Sequence, residues 1–335
     1  MKSRTTAAPH IVIAGAGAVG CFVGGMLVRG GRSVSFLGRS RVLDDLRHHG
    51  LRLTDYGDLD VTLTPDQLDL HEDSAVLARA DIILVCVKSA ATASIAQQIA
   101  EHAPAGAIIV SLQNGMGHAQ TLGATLPAHD IRAGMVPFNV VPMAQGGFHR
   151  ASSGDIVIGT GDGALPDILS VDALCISQSV RIEAVQWGKF LLNLNNAPNA
   201  LSGLSLHAQL LDRGWRRLMA DQMAEALRVL RAHGCEVAPT TSVPVGLVPH
   251  ILRLPTPVFR RLASRMLTID PQARTSMAHD LAAGRVTEID ALQGLIIAMG
   301  REKSVPTPLC ERMLEAVKAA QGQSPIAHNP DNLRR

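Results

Sequence analysis

The feature that most constrains the fold is a glycine-rich loop, Gly15-Ala16-Gly17-Ala18-Val19-Gly20, which follows the apolar run 11–14 and opens a stretch rich in alanine, valine and leucine. This order predicts a strand, a tight turn and a helix. In such a unit the first glycine permits the turn, the second lets backbone N–H groups approach a pyrophosphate, and the third lets the helix pack closely on the strand. The phosphates would lie at the positive end of the helix. The loop therefore predicts a dinucleotide site, with a purely structural turn as the alternative.

The same segment imitates a secretory signal or a membrane anchor, because Met1, Lys2 and Arg4 precede the uncharged stretch 11–28. Five of those eighteen residues are glycine, which adds little hydrophobic transfer energy. A second strand-like run, 33–37, then follows, as a βαβ unit requires. We therefore expect a βαβ unit here and no membrane segment.

The end of the second strand indicates which dinucleotide binds. An NAD enzyme places Asp or Glu about 20 residues after the glycine turn, where the carboxylate accepts hydrogen bonds from the ribose hydroxyls. Here the chain reads Leu37-Gly38-Arg39-Ser40-Arg41, and no carboxylate occurs before Asp44. A guanidinium binds a 2′-phosphate in bidentate fashion. The pattern favours NADP over NAD, with Arg39 as a cofactor contact, and a solvated helix start is the alternative.

Composition limits the classes of partner. With 335 residues, of which 47% are hydrophobic, the chain can fill the cores of two domains. A net charge of +2 and few aromatic residues (two Trp, one Tyr, six Phe) argue against nucleic acid and anionic membranes. The five cysteines are far apart and form no C-x-x-C motif, which predicts buried thiols in a reducing compartment and no metal site. We expect a cytoplasmic protein that binds a small molecule, with a homodimer as the assembly to test.

The pattern along the chain changes from α/β to helical. The segment 81–87, which is uniformly apolar after Asp81, is typical of a central parallel strand, and the run 107–112 predicts the next one. Lys88 and Asn114 follow these runs, at the edge where doubly wound sheets bind ligands, with a surface position and a turn position as the alternatives. We predict an NADP-binding, Rossmann-type doubly wound sheet over residues 1–180. An all-helical substrate domain over residues 181–335 would follow, with a flexible tail from about residue 321.

Residues 184–197 predict a buried helix that carries a narrow polar stripe. Its apolar residues cover most of the circumference, yet Gln186, Lys189, Asn193 and Asn196 recur at i, i+3, i+7 and i+10. Burial of an ammonium group is costly and lowers its pKa, so Lys189 needs a partner. That partner is either an anionic or strongly polar ligand or a structural salt bridge, and the asparagines could equally bond neighbouring helices. Pro198 would end or kink this helix.

A later helical stretch carries Ser276 and Asp280, four residues apart. After Gly284, a further helix is predicted to start at Thr287-Glu288, because its apolar face follows at residues 289, 292, 296 and 299. Thr287 is a suitable N-cap, and a carboxylate in the first turn is favourable with the helix dipole without any substrate. From the residues alone, Glu288 is therefore either catalytic or structural.

Together these motifs resemble the ketopantoate reductase (2-dehydropantoate 2-reductase) family over about residues 10–320. The resemblance rests on the glycine loop, Gln113-Asn114-Gly115, the segment 187–193, Ser276-Met277 followed by Glu288, and Val305-Pro306-Thr307-Pro308. It implies NADPH-dependent reduction of a 2-keto acid, with the cofactor on the first domain and the substrate in a cleft against the second. Ketopantoate would be reduced to (R)-pantoate for pantothenate biosynthesis.

The resemblance also implies roles for individual residues. Lys189 corresponds to the family's catalytic lysine, which would stabilise the charge that develops on the carbonyl oxygen and deliver the proton. Asn114 would position the substrate carbonyl and the nicotinamide, Asn193 would bond the terminal hydroxyl of the substrate, and Ser276 would hold its carboxylate. Glu288 would accept hydrogen bonds from Lys189 or from the substrate hydroxyl. The implied cofactor contacts are the glycine loop (Gly15, Ala16, Gly17, Ala18, Val19, Gly20), Arg39, Lys88, Asn114 and Glu288.

One position departs from the family pattern. Better-studied members carry a second asparagine eight residues after the lysine, where this chain has Ala197. The missing hydrogen bond leaves the substrate open between ketopantoate and another branched 2-keto acid. A non-catalytic NADP(H) sensor on the same fold is a further alternative.

Overall fold

The computed structural model describes residues 8–239, 243–263, 272–322 and 328–334. The chain divides into two compact units, Met1–Ile182 and Glu183–Arg335. The predicted boundary at residue 180 lies two residues before this division.

The first unit contains all the strands found among the described residues. They are β1 (His10–Ala14), β2 (Ser33–Leu37), β3 (Leu51–Asp55), β4 (Asp60–Leu63), β5 (Asp69–His71), β6 (Ile82–Val85), β7 (Ile108–Ser111), β8 (Asp130–Met135), β9 (Val140–Pro142), β10 (Gly147–Arg150), β11 (Ile156–Gly159) and β12 (Ile176–Ser179). Its helices are α1 (Ala18–Arg29), α2 (Ser40–His49), α3 (Thr92–His102), α4 (His118–Thr125) and α5 (Leu165–Leu169).

Eight strands form one sheet in the order β12-β11-β8-β7-β6-β1-β2-β5. From β8 to β5 every neighbouring pair is parallel, and β11 joins β8 in the antiparallel sense. The chain proceeds outward from β1 to β2 and β5, then returns to β6 on the other side of β1. The strand order therefore reverses between β1 and β6, which is the switch point where such sheets bind ligands. The predicted α/β fold with a central strand at 81–87 is confirmed.

The glycines of α1 have a packing role that the hydropathy pattern hides. A Cβ atom on Gly24 would overlap the Phe36 ring on β2, and a Cβ atom on Gly25 would come within 2.6 Å of Leu51 on β3. Strands β4, β3, β10 and β9 form a second, four-stranded sheet, so α1 packs closely against both sheets. Runs 51–54 and 60–63 thus build a separate layer. No described helix is long and apolar enough to span a bilayer.

All described elements of the second unit are helical, as the pattern after residue 180 predicts. They are α6 (Ile182–Asn193), α7 (Asn196–Ser202), α8 (Leu206–Leu211), α9 (Arg213–Ala232), α10 (Val248–Arg253), α11 (Thr256–Leu262), α12 (Ser276–Ala282), α13 (Leu295–Glu302), α14 (Pro308–Ala320) and α15 (Pro330–Arg334), with short 3-10 and π turns between them. The long α9 runs through the unit, and α10, α13, α14 and α15 pack on it.

The segment after α14 differs in part from the expected flexible tail. Residues 323–327 lie outside the described part of the chain. His328 donates its backbone N–H to the Leu201 carbonyl oxygen at 3.0 Å. Within α15, Leu333 is buried and Arg334 pairs with Asp221 at 2.6 Å. Residues 328–334 are therefore anchored to the helical unit.

Candidate functional site

The glycine loop forms the turn that its sequence predicts. β1 ends at Ala14, and the backbone N–H groups of Gly15 and Ala16 both donate to the Leu37 carbonyl oxygen at 3.0 Å, which ties the turn to the end of β2. Gly15 has φ +117°, and a Cβ atom there would lie 2.7 Å from the Val87 backbone nitrogen. A Cβ atom on Gly20 would overlap the Gly15 carbonyl oxygen, whereas Gly17 faces open space. The loop thus has the compact turn and the open approach that a pyrophosphate requires.

A pocket of about 470 Å³ opens beside this loop, entirely within the first unit. Five predicted cofactor contacts line it: Gly15, Ala16, Gly17, Arg39 and Lys88. Ala18, Val19 and Gly20 form the first turn of α1, where backbone N–H groups have no partner inside the helix and can donate to an anion. Arg39 is the residue before α2 and Arg41 lies in its first turn, and both residues line the pocket. The pocket therefore combines the glycine loop with three cationic residues, which suits an anionic ligand such as a dinucleotide.

The pocket also contains a carboxylate, Glu72, which was not among the predicted site residues. Arg47 of α2 pairs with this carboxylate at 2.9 Å and with Asp44 at 2.6 Å. Glu72 follows β5, a strand of only three residues that no periodicity reveals. The signal that finds it is the pairing of β5 with β2, which places the ends of both strands together.

A buried hydrogen-bond network fixes the loops that carry Lys88 and Asn114. The amide nitrogen of Gln113 donates to the Val87 carbonyl oxygen at 3.1 Å and to the Thr92 hydroxyl at 2.7 Å. The His118 ring contacts the same hydroxyl at 3.2 Å and the Asn114 carbonyl oxygen at 2.8 Å. Because these bonds cross from the loop after β7 to the loop after β6, the two predicted ligand contacts sit on mutually fixed backbones.

Three residues of the polar stripe, Gln186, Lys189 and Asn193, lie on α6, and the fourth, Asn196, lies on α7; all four are half-buried. Four apolar residues of α6 are buried: Ala184, Trp187, Phe190 and Leu191. Trp187 and Phe190 stack edge to face, with ring centroids 5.2 Å apart. Desolvation by burial lowers the pKa of Lys189 from 10.5 to about 8. A lysine with this pKa is still mostly protonated at neutral pH, yet it releases its proton far more readily than an exposed lysine.

The predicted single helix over residues 184–197 is wrong in its second half, since the chain breaks between α6 and α7 at residues 194–195. The cause is Pro198, which has no N–H group to donate to the Leu194 carbonyl oxygen one turn earlier. The buried Gln293 side chain fills that role, since its amide nitrogen donates to this oxygen at 2.9 Å. Because of this break, α6 ends at Asn193 and α7 begins at Asn196.

Asn195 is paired within the helical unit, and Ala197 is buried. Asn195 exchanges two hydrogen bonds with Gln209, at 3.2 and 3.0 Å. Ala197 itself is fully buried. Asn195 therefore has a structural partner, and the position where the family carries its second asparagine is buried.

Ser276 begins α12, directly after the N-cap Thr275. The backbone N–H of Thr275 donates to the fully buried Asn199 side chain at 3.0 Å, and its hydroxyl lies 3.4 Å from the Asn196 carbonyl oxygen. These bonds attach the start of α12 to α7. Ser276 is half-buried at this attachment point, while Asp280 pairs with Arg285 at 2.8 Å.

Glu288 is half-buried and precedes a π-helical turn, Asp290–Gly294, that leads into α13. Its carbonyl oxygen accepts the first hydrogen bonds of this turn, from Ala291 at 3.1 Å and Leu292 at 3.2 Å. The prediction of Thr287 as N-cap is therefore wrong, and the Thr287 hydroxyl instead accepts a bond from Gln321 at 2.8 Å. π-turns occur frequently at functional sites.

Hydrogen bonds thus connect the predicted substrate-side residues through the α6–α7 break. Gln293 joins the turn after Glu288 to the end of α6, and Asn199 joins the start of α12 to α7. Neither amide was predicted as part of the site, because a buried glutamine or asparagine has no distinctive sequence signal. In the first unit, Asn114 is exposed and does not line the pocket beside the glycine loop.

A glycine-loop phosphate site at the switch point of a doubly wound sheet is the binding plan of an oxidoreductase that uses a nicotinamide dinucleotide. The family comparison agrees with this class. The profile described as "Ketopantoate reductase PanE/ApbA" matches residues 11–163, and "Ketopantoate reductase PanE/ApbA C terminal" matches residues 181–321. The chain belongs to the ketopantoate reductase PanE/ApbA family, which confirms the resemblance seen in the sequence.

Individual relatives span the whole fold. A 2-dehydropantoate 2-reductase from Halobacterium salinarum is 28% identical over 321 residues, which are 93% of this chain and 99% of that protein. The crystal structure of a PanE/ApbA family ketopantoate reductase from Ralstonia eutropha JMP134 has a TM-score of 0.79 and 29% identity, covering 97% of this chain and all of the other. D-mandelate dehydrogenase, solved with NADH and anilino(oxo)acetate, has a TM-score of 0.76 and 22% identity over the same shares.

Proposed function

We propose that this protein reduces a 2-keto acid with NADPH, and that ketopantoate is the substrate, reduced to (R)-pantoate for pantothenate biosynthesis. The observation that carries the proposal is Lys189, a half-buried lysine on the polar stripe of α6 with a pKa lowered to about 8. Such a group donates a proton close to neutral pH, as the reduction of a carbonyl requires. The family membership and the reductase from Halobacterium salinarum support the substrate class.

The first unit would hold the cofactor. The first turn of α1 and the glycine loop would bind the pyrophosphate, while Arg39 and Arg41 would bind the 2′-phosphate of NADPH. Lys88 lines the same pocket and would bind a further part of the cofactor, and Asn114 would orient the nicotinamide and the substrate carbonyl. The reduced nicotinamide, when bound, supplies the hydride that the carbonyl carbon receives.

The second unit would hold the substrate. Lys189 would donate its proton from Nζ to the carbonyl oxygen as negative charge develops there, and solvent would return the proton afterwards. Asn193, at the end of α6, would bond the substrate hydroxyl, and Ser276 would bond the carboxylate. Glu288 would accept a hydrogen bond from Lys189 or from the substrate hydroxyl. It would also contact the cofactor.

Ala197 supports a second candidate, a reductase of another branched 2-keto acid. Its methyl group is fully buried, so position 197 supplies no side-chain hydrogen bond to a substrate hydroxyl. A site that lacks such a bond discriminates weakly between an acid with the hydroxyl and an acid without it.

The test is the oxidation of NADPH by the purified protein with ketopantoate, in parallel with 2-ketoisovalerate and with NADH. The Lys189→Ala variant removes the proposed donor, and Lys303→Ala, which changes an exposed lysine of the same unit, is the matched control. Rapid turnover that is selective for ketopantoate and lost only in Lys189→Ala supports the proposal. Similar rates with both acids favour the second candidate, and binding of NADPH without turnover of either acid favours a sensor. The expected homodimer is tested by light scattering on the same samples.

A further inference from the structure

Glu72 and the two arginines approach one end of the dinucleotide pocket from neighbouring strands. β5 pairs with β2 in parallel, with His71 opposite Leu37, and the backbone N–H of Gly38 donates to the His71 carbonyl oxygen at 3.0 Å. The carboxyl ends of the two strands therefore lie side by side. The chain continues into Arg39 from one strand and into Glu72 from the other, and both residues line the pocket.

This arrangement combines two opposite ways of recognising the adenosine ribose. Guanidinium groups such as Arg39 and Arg41 bind a 2′-phosphate. A carboxylate repels that phosphate, but it accepts hydrogen bonds from a free 2′-hydroxyl. The pocket presents both kinds of group at the same edge of the sheet.

Arg47, which does not line the pocket, forms an ion pair with this carboxylate. It lies near the end of α2, outside the pocket lining, and its guanidinium bridges Glu72 and Asp44 at 2.9 and 2.6 Å. The side chains of Arg47 and Glu72 are 40% and 47% exposed, and ion pairs this exposed contribute little to folding stability.

We propose that Glu72 is a specificity-determining residue for the cofactor and that Arg47 sets how strongly Glu72 affects this specificity. Glu72 lowers the preference for NADPH that Arg39 and Arg41 create and supports binding of NADH. Arg47 partly neutralises Glu72 and thereby restores some of the preference for NADPH. This inference rests on the proposed cofactor site, and it does not depend on which keto acid is reduced.

The test measures dissociation constants of the full-length protein by calorimetry, for NADPH and NADH and for the fragments adenosine 2′,5′-bisphosphate and AMP. Glu72→Gln is expected to strengthen binding of the bisphosphate about three- to tenfold and to leave AMP unchanged or weaker. Arg47→Gln is expected to weaken the bisphosphate by a similar factor, and this loss should disappear when Glu72→Gln is also present. Asp58→Asn, which removes an exposed carboxylate elsewhere in the same unit, is the matched control for net charge.

The outcomes separate the two proposals. If Glu72→Gln and Arg47→Gln leave the ratio of bisphosphate to AMP affinity within a factor of two of the unmodified protein, or shift it in the same direction, the inference is wrong. If the unmodified protein binds no dinucleotide, both the inference and the proposed function fail. If dinucleotides bind with the expected shifts and no 2-keto acid is reduced, only the proposed reaction fails.

Discussion

Replacing Lys189 with methionine is expected to stabilise the helical unit at neutral pH. Burial lowers the pKa of Lys189 from 10.5 to about 8 in the folded protein. One pKa unit corresponds to about 1.4 kcal/mol, so the shift corresponds to about 3.5 kcal/mol of folding free energy at most. Methionine has a similar length without the charge, so it removes this cost and retains the packing of the side-chain stem.

The pH dependence has a definite sign. Between about pH 8 and pH 10.5 the unfolded chain holds a proton on Lys189 that the folded chain has lost, so stability rises with pH across this window. Below about pH 8 the full cost is present, and above 10.5 it is absent. The stability advantage of the methionine variant should therefore be largest at pH 7 and should shrink steadily as the pH approaches 10.5.

The assay is urea unfolding followed by tryptophan fluorescence, because the two tryptophans of the chain, Trp187 and Trp215, both lie in the helical unit. Comparing the two proteins at pH 7 and pH 10 cancels groups that titrate equally in both. Lys303→Met, at an exposed site, should change stability little at either pH. A methionine variant less stable than the unmodified protein by about 3–5 kcal/mol at pH 7 would refute the reasoning and indicate a structural ion pair.

Three further predictions concern activity and stability. The value of kcat/KM for reduction should be constant below about pH 8 and fall about tenfold per pH unit above it, because Lys189 must be protonated to act as the donor. A profile that stays flat to pH 10 would contradict this role. Gln293→Leu removes the side-chain donor to the Leu194 carbonyl oxygen, so it should destabilise the protein by about 1–3 kcal/mol in urea unfolding. It should also raise KM for the 2-keto acid and leave the NADPH affinity, measured by calorimetry, unchanged. An unchanged KM would show that this hydrogen bond does not position the substrate site. The buried carboxylate of Glu225 accepts hydrogen bonds from two backbone N–H groups at the start of α14, at 3.1 and 2.8 Å. Glu225→Leu should therefore lower the free energy of unfolding by about 2–4 kcal/mol, and Glu225→Gln by less. Equal losses for the two variants in urea unfolding would contradict the capping role.

The parts of the fold that the sequence predicts well are those set by neighbours in the chain. The glycines that permit the turn are adjacent in the chain, and the observed β2 has the same bounds as the predicted run 33–37. The apolar run 81–87 identifies a central strand because burial on both faces leaves no polar alternation. The polar stripe of α6 is visible for the same reason, since its spacing follows the period of one helix.

The parts that the sequence does not predict depend on residues far away along the chain. The break after α6 is stable because Gln293, ninety-nine residues later, supplies the donor that Pro198 lacks. Glu72 belongs to the pocket only because β5 pairs with β2, and a strand of three residues has no periodic signature. The π turn after Glu288 replaces the predicted helix start, and its extra residue per turn changes which side chains share a face with Glu288.

Buried amides connect these distant segments, and their chemistry explains why they do so better than apolar contacts. Gln113 joins the loops after β6 and β7, Asn199 joins α7 to the start of α12, and Gln293 joins the turn after Glu288 to α6. An amide forms directional hydrogen bonds, so each of these side chains fixes a backbone group of one segment relative to another, whereas apolar side chains tolerate sliding. These uncharged amides would then position the charged residues that are proposed to bind the cofactor and the substrate. A substitution that keeps every charge but removes one of these amides is therefore expected to change substrate affinity.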